Sequence, residues 1–180
     1  MKILFTPNCR KIIEGLTWVT NHLENCTQHT ALKALFYADK FHIQKYGRPV
    51  TGDKYIKMPC GPVGIIAYNI MKGSHLIYND ILDIAANAFY LENKTDEIFP
   101  NREACEEWFS GTDLECLKAS LDKCKKSKLS SPKKEFSREY FWLKTMMHKE
   151  IDYELIIDQN LPNRKSLIKY MQDTSRFQVV

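Results

Sequence analysis

The chain is poor in the signatures that announce a chemistry. Glycine and proline occur only seven times each in 180 residues. No G-x-x-x-x-G-K-[ST], G-x-G-x-x-G or G-x-S-x-G pattern is present, so glycine-built phosphate cradles and serine-elbow hydrolases are excluded. H-E-x-x-H is missing too. The six cysteines contain no C-x-x-C pair and are irregularly spaced, so reduced thiols are expected rather than a disulfide framework. His22, Cys26 and His29 have a loosely metal-like spacing with no second cluster, so neither a metal nor another cofactor is expected. No run approaches the roughly 18 apolar residues of a membrane span. The start, MKILFTPNCRK, lacks the apolar core of a signal peptide, which makes the cytoplasm the expected compartment. Neither sign of charge dominates: 26 basic residues against 22 acidic ones leave a net value of +4, too mild to demand nucleic acid.

What is present is unevenly placed. Residues 90–115 carry eight acids against Lys94 and Arg102, whereas residues 118–134 carry seven lysines against Asp122. Opposed blocks of this kind are ordinarily solvated faces. Lys118, Lys123, Lys125, Lys126, Lys128, Lys133 and Lys134 are nonetheless the candidate contact residues for a partner. No aromatic interleaving accompanies them, which weakens nucleic acid as that partner.

Apolar periodicity predicts a mainly α (α+β) domain over 1–180: a helical bundle around a central buried helix, with a small two- or three-stranded β element. Asn8 caps a helix over 8–24. The central helix runs from about Thr30 to Tyr46, with Gly47 as its stop. Leu32, Leu35, Phe36, Ile43 and Tyr46 fall on one face, and Ala34, Tyr37 and Phe41 on nearly the opposite one. Only Lys33, Lys40 and Gln44 form a wet strip. A strand pair is expected in 88–99, a short helix capped by Asn101, and a capping box at Thr112–Glu115. Further helices are expected around Tyr140–Leu143 and after Pro162, with a linker over 125–135 and a frayed tail over 175–180.

The punctuation concentrates in one place. YGRPVTGDKYIKMPCGPVG, residues 46–64, holds four of the seven glycines and three of the seven prolines. It reads as turn, short strand and turn, with Pro62 just inside a new helix. Bundle connections typically take about 2–8 residues, so this one is long. Asp39 lies in an apolar stripe of the helix before it, and a carboxylate there must be paired or hydrogen-bonded. Arg48, just past the helix end, is the expected partner, because a guanidinium can bind a carboxylate bidentately. Asp53 is placed to brace the turn through backbone N–H groups. The candidate network is therefore Asp39, Gly47, Arg48, Pro49, Thr51, Gly52, Asp53, Tyr55, Gly61 and Pro62. A small enzyme using Asp39, Arg48, Asp53 or Cys60 is the rival reading, with His42 as a partner for the thiol.

These residues also carry a resemblance. Residues 31–73 are similar to the signature of the Panacea family, the SocA-like antitoxin domain, through Leu35 to Asp39, Gly47 to Asp53, Tyr55, and Gly61 to Val63. Ser137, Trp142, Ile151, Tyr153 and Glu154 fit a second segment of that family, with Arg138 where histidine is usual. The resemblance implies a mainly helical domain with a small sheet and no catalytic residues. It also implies an antitoxin that neutralises a toxin, usually encoded beside it, by direct contact or by handing it to a protease. A domain serving many toxins should keep its frame and vary its contact surface, which places contacts in segments such as 90–134 and makes the shared loop a frame.

Overall fold

A computed structural model describes residues 2–126 and 136–175. The expectations for Lys128, Lys133 and Lys134, most of the 125–135 linker and nearly all of the tail lie outside the described residues. Helices α1 (Cys9–His22) and α2 (Gln28–Tyr46) lead into the strands β1 (Tyr55–Met58) and β2 (Gly61–Gly64). Then follow α3 (Ile65–Met71), α4 (Asn79–Ala88), β3 (Phe89–Glu92), β4 (Glu97–Pro100), a 3-10 turn (Glu106–Trp108) and α5 (Gly111–Lys126). The short α6 (Tyr140–Lys144) and α7 (Tyr153–Ile156) precede α8 (Arg164–Thr174). The fold is mainly helical, with two small antiparallel two-stranded sheets.

The central helix is buried more completely than its pattern implies. Lys33 and Lys40, expected in water, are 3% and 7% exposed. Lys40 Nζ donates to Glu139 at 2.7 Å, and the two ammonium groups lie 5.7 Å from the ring centres of Phe141 and Phe136. Residues 136–141 thus cover a third side of α2, and the lysines tolerate it through an ion pair and ring faces. Gly47 ends the helix in the left-handed region at φ 75°, its N–H donating to the Ile43 carbonyl at 2.9 Å. A Cβ at Gly47 would also lie 2.8 Å from the Tyr170 ring of α8.

Pro62 does not open a helix. It sits in β2 opposite Lys57, and α3 begins three residues later. The proline is tolerated because Lys57 turns its polar backbone groups the other way, its N–H to the Lys149 carbonyl (3.0 Å) and its C=O to the His148 N–H (2.8 Å). The missing N–H of Pro62 is never called on. Ile151 N–H joins the same edge by donating to the Tyr55 carbonyl, so 148–151 acts as a third strand on β1.

Two caps fall elsewhere than the sequence suggests. The capping box of α5 is Ser110 with Asp113: Ser110 N–H donates to Asp113 Oδ2 (3.0 Å), and Asp113 N–H to Ser110 Oγ (3.2 Å). Asn101 caps nothing; its amide donates to the Ala86 carbonyl at 2.9 Å. The 3-10 turn begins only at Glu106. The expected strand pair is β3–β4, with Tyr90 opposite Phe99 and Leu91 opposite Ile98.

Candidate functional site

Asp39, on the fourth turn of α2, is wholly buried and ionically unpartnered by Arg48. Its carboxylate is held by the loop itself. Oδ1 accepts the N–H groups of Val50 (2.9 Å) and Thr51 (2.8 Å); Oδ2 accepts the Thr51 hydroxyl (2.7 Å) and the Tyr55 hydroxyl (2.8 Å). The expected Asp39–Arg48 pair is therefore replaced by four neutral donors. The reason is geometric. The turn at Pro49–Thr51 aims two consecutive N–H groups at one point, which a buried anion satisfies at close range without the cost of desolvating a guanidinium. Burial pushes the Asp39 pKa up to about 6, with the Thr51, Tyr55 and Val50 hydrogen bonds pulling against it. Tyr55 is raised well above its ordinary value by burial and by the nearby Asp39 charge, so it remains a donor.

Asp53 repeats the device on the other side of the loop. Its Oδ1 accepts from Lys54 N–H (2.7 Å) and Ile66 N–H (2.9 Å), and its Oδ2 from Ala67 N–H (2.9 Å). Gly64, the N-cap position of α3, has no side chain to cap with. Asp53 supplies the missing cap from eleven residues upstream in sequence. Burial raises it to about 6 as well, opposed by the three N–H bonds. Gly64 has φ −70°, an ordinary value, yet it must be glycine: a Cβ there would stand 2.4 Å from Asp53 Oδ2. Tyr153, in the second motif segment, donates its hydroxyl to the Asp53 carbonyl, locking that segment onto the first.

Arg48 works outward from the same loop. Its Nη2 lies 2.9 Å from Asp113 Oδ1 at the head of α5, and its Nη1 donates to the Pro49 carbonyl. Asp113, unflagged by sequence, is fully buried and also receives Lys11 Nζ at 2.9 Å from α1. Burial works against its charge. The Lys11 and Ser110 hydrogen bonds and the Lys11 and Arg48 charges prevail and hold its pKa below the usual carboxylate value. His42 places Nδ1 2.8 Å from the Arg48 carbonyl and Nε2 3.0 Å from Thr112 Oγ1. Nε2 also lies 3.1 Å from Asp113 Oδ1. Burial lowers the His42 pKa, with the Arg48 carbonyl and the Asp113 charge pulling the other way. His42 is thus committed to this junction and not to Cys60. Cys60 lies exposed in the turn between β1 and β2 rather than at a helix N-terminus, so the dipole expected to activate it is not there.

Of the candidate network, then, Asp39, Thr51 and Tyr55 converge on one carboxylate. Asp53 and Gly64 form a second centre, and Arg48 a third with His42 and Asp113. Pro49 sets the turn whose carbonyl holds Arg48, and Gly52 takes the left-handed backbone at φ 71°. Gly61 approaches Phe136 so closely that a Cβ would lie 2.9 Å from its ring. Asp39 and Asp53 accept hydrogen bonds on both oxygens and are no more than 1% exposed, an arrangement that braces the loop. Lys118, Lys123, Lys125 and Lys126 stand on the exposed face of α5, away from these centres. Among the described residues no three His, Cys, Asp or Glu side chains are grouped to hold a metal, and no helix is long and apolar enough to cross a membrane.

Comparison with known proteins bears on this frame directly. No curated protein and no solved structure matches the chain significantly. The family model described as antitoxin SocA-like, Panacea domain, matches residues 32–150, about two thirds of the chain. The matched span opens on α2 before the Asp39 cradle and closes on the segment paired with β1. The chain belongs to the SocA-like antitoxin, Panacea domain family.

Proposed function

We propose that this protein is an antitoxin that neutralises a cognate toxin, encoded by the adjacent gene, through direct protein contact. The observation that carries the reading is the complete internal use of the motif's polar side chains. Asp39, Thr51, Asp53 and Tyr55 are each no more than 1% exposed, and all are satisfied within the chain. A motif so spent is a frame, and recognition falls to the outer surface. That surface carries several large apolar side chains, among them Leu76, Tyr78, Leu143 and Met146, the residue class on which protein contacts depend. The lysines on α5 form a further contact surface for an acidic part of the toxin.

The test is co-expression with the product of the neighbouring reading frame. Growth arrest by the neighbour alone, rescue by this chain, and co-purification of the two are the expected results. A neighbour that is harmless, or rescue without a complex, overturns the proposal. The half-life of the toxin in the rescued cells then separates blocking, which leaves it unchanged, from delivery to a protease, which shortens it.

A further inference from the structure

Among the described residues, the hairpin β3–β4 leaves one edge without a strand. Asn101 N–H donates to the Ala88 carbonyl, and Ile98 N–H to the Cys26 carbonyl on the far side of β4. With the register Phe89–Pro100 to Glu92–Glu97, these two bonds fix the alternation. Tyr90 and Glu92 exchange hydrogen bonds with β4, and Phe89 and Leu91 point their polar backbone groups away from it. The Phe89 N–H closes the last turn of α4 on Ala85. The Leu91 N–H and the carbonyls of Phe89 and Leu91 have no partner among the described residues.

That edge opens onto a groove of about 380 Å³ between α3, α4 and β3. Ile70, Met71, Leu82, Ala85, Phe89 and Leu91 give it an apolar lining, and Asp83 enters from the α4 side. Asp83 is the acid that lines the groove. Glu92 ends the strand with Glu97 opposite it across the hairpin, and both lie on the face of the hairpin opposite to Leu91. The nearby Lys72 lies 3.7 Å from Asp96.

Resting on the antitoxin reading, we propose that β3 is the toxin-docking edge. An extended segment of the toxin, with apolar and basic side chains alternating, adds as a strand beside Leu91. Three features choose this occupant. Outward N–H and C=O groups on a strand edge are met best by another extended backbone. Alternate side chains of an added strand fall on one face, where the apolar groove receives them. The intervening side chains fall on the face of Glu92 and Glu97, which selects lysine and arginine.

Two measurements decide the matter. First, amide exchange is followed by NMR on the isotope-labelled protein with a probe peptide of roughly eight residues alternating lysine and valine. Exchange at the Leu91 amide should slow by about tenfold or more at saturation while Tyr90 stays unchanged, and a glutamate–valine peptide should do nothing. A Leu91 amide already protected in the free protein, or no response to the lysine–valine peptide, overturns the proposal. Protection that rises with protein concentration alone identifies a second copy instead and also overturns it.

Second, Leu91→Pro is tested for toxin binding. It deletes an N–H that the hairpin does not use, so the fold should survive while toxin affinity falls about tenfold or more. Asp83→Lys combined with Glu92→Lys should weaken binding similarly, and this pair decides if Leu91→Pro fails to fold. Parent-like toxin affinity in the folded variants overturns the docking edge and leaves the antitoxin reading intact. A parent that binds no toxin overturns the antitoxin reading, and the peptide measurement still decides the edge.

Discussion

Gly64→Ala is the sharpest probe of the frame, because nothing about the backbone there demands glycine. The φ of −70° suits alanine. The objection is purely spatial: the new methyl would lie 2.4 Å from Asp53 Oδ2 and 3.0 Å from its Cγ. The carboxylate must retreat, and it cannot do so without releasing Ala67 N–H and loosening Ile66 N–H. Losing an N-cap costs about 0.5–2 kcal/mol. A buried carboxylate left short of donors costs about 1–3 kcal/mol more. A destabilisation of about 3 kcal/mol follows, which in a chain of this length lowers Tm by about 6–12 °C. Differential scanning calorimetry, with urea titration followed by circular dichroism, measures both quantities. Gly111→Ala is the control: a Cβ there meets nothing within 4 Å, and a change within about 0.5 kcal/mol is expected. The Asp53→Ala, Gly64→Ala double variant should lose little beyond Asp53→Ala alone, since the group in collision is gone. If Gly64→Ala melts with the parent, or if the two changes simply add, the capping account of Asp53 is wrong.

Other outcomes follow from the same geometry. Arg48→Ala should cost only about 1 kcal/mol, because Asp113 retains Lys11 and the Asp39 cradle is untouched, whereas Tyr55→Phe should cost about 1–2 kcal/mol by removing a donor from a buried anion; a larger loss for Arg48→Ala in urea titration would restore it as the partner of Asp39. Asp53 has a folded pKa of about 6 against an ordinary 3.8, so the folded state holds its proton more tightly than the unfolded one. Its contribution is therefore greatest below the unfolded value and is lost as pH rises through about 6. The stability of the parent relative to Asp53→Asn should fall by on the order of 2–3 kcal/mol between pH 4 and pH 7, and a difference that grows over that interval refutes the sign. Duplex DNA should bind only weakly in fluorescence anisotropy, with or without replacement of Lys118, Lys123, Lys125 and Lys126 by glutamine, whereas tight, steeply salt-dependent binding lost in that variant would establish a nucleic-acid role.

The helices were legible wherever one element carried its own signal. Asn8 before the apolar series of α1, Gly47 after that of α2, and the turn residues between β3 and β4 each fix a boundary by local chemistry. The helix α4 has such a signal in Ile81, Ile84, Ala85 and Ala88. Both Ser110 and Thr112 satisfy the capping-box pattern of α5, and only the hydrogen bonds select Ser110.

By itself the sequence determined that Asp39 is buried and must be satisfied, that residues 46–64 form a long, turn-rich connection carrying a short strand, and which family the chain belongs to. All three are properties of residue type and spacing along one segment. Tertiary structure alone decided who satisfies Asp39, what Asp53 caps, and that Asp113 is where Arg48 goes. A partner's identity depends on which groups arrive from distant parts of the chain and from which direction. Backbone N–H groups, which every residue but proline carries, leave no mark in a sequence to say that they will be the ones.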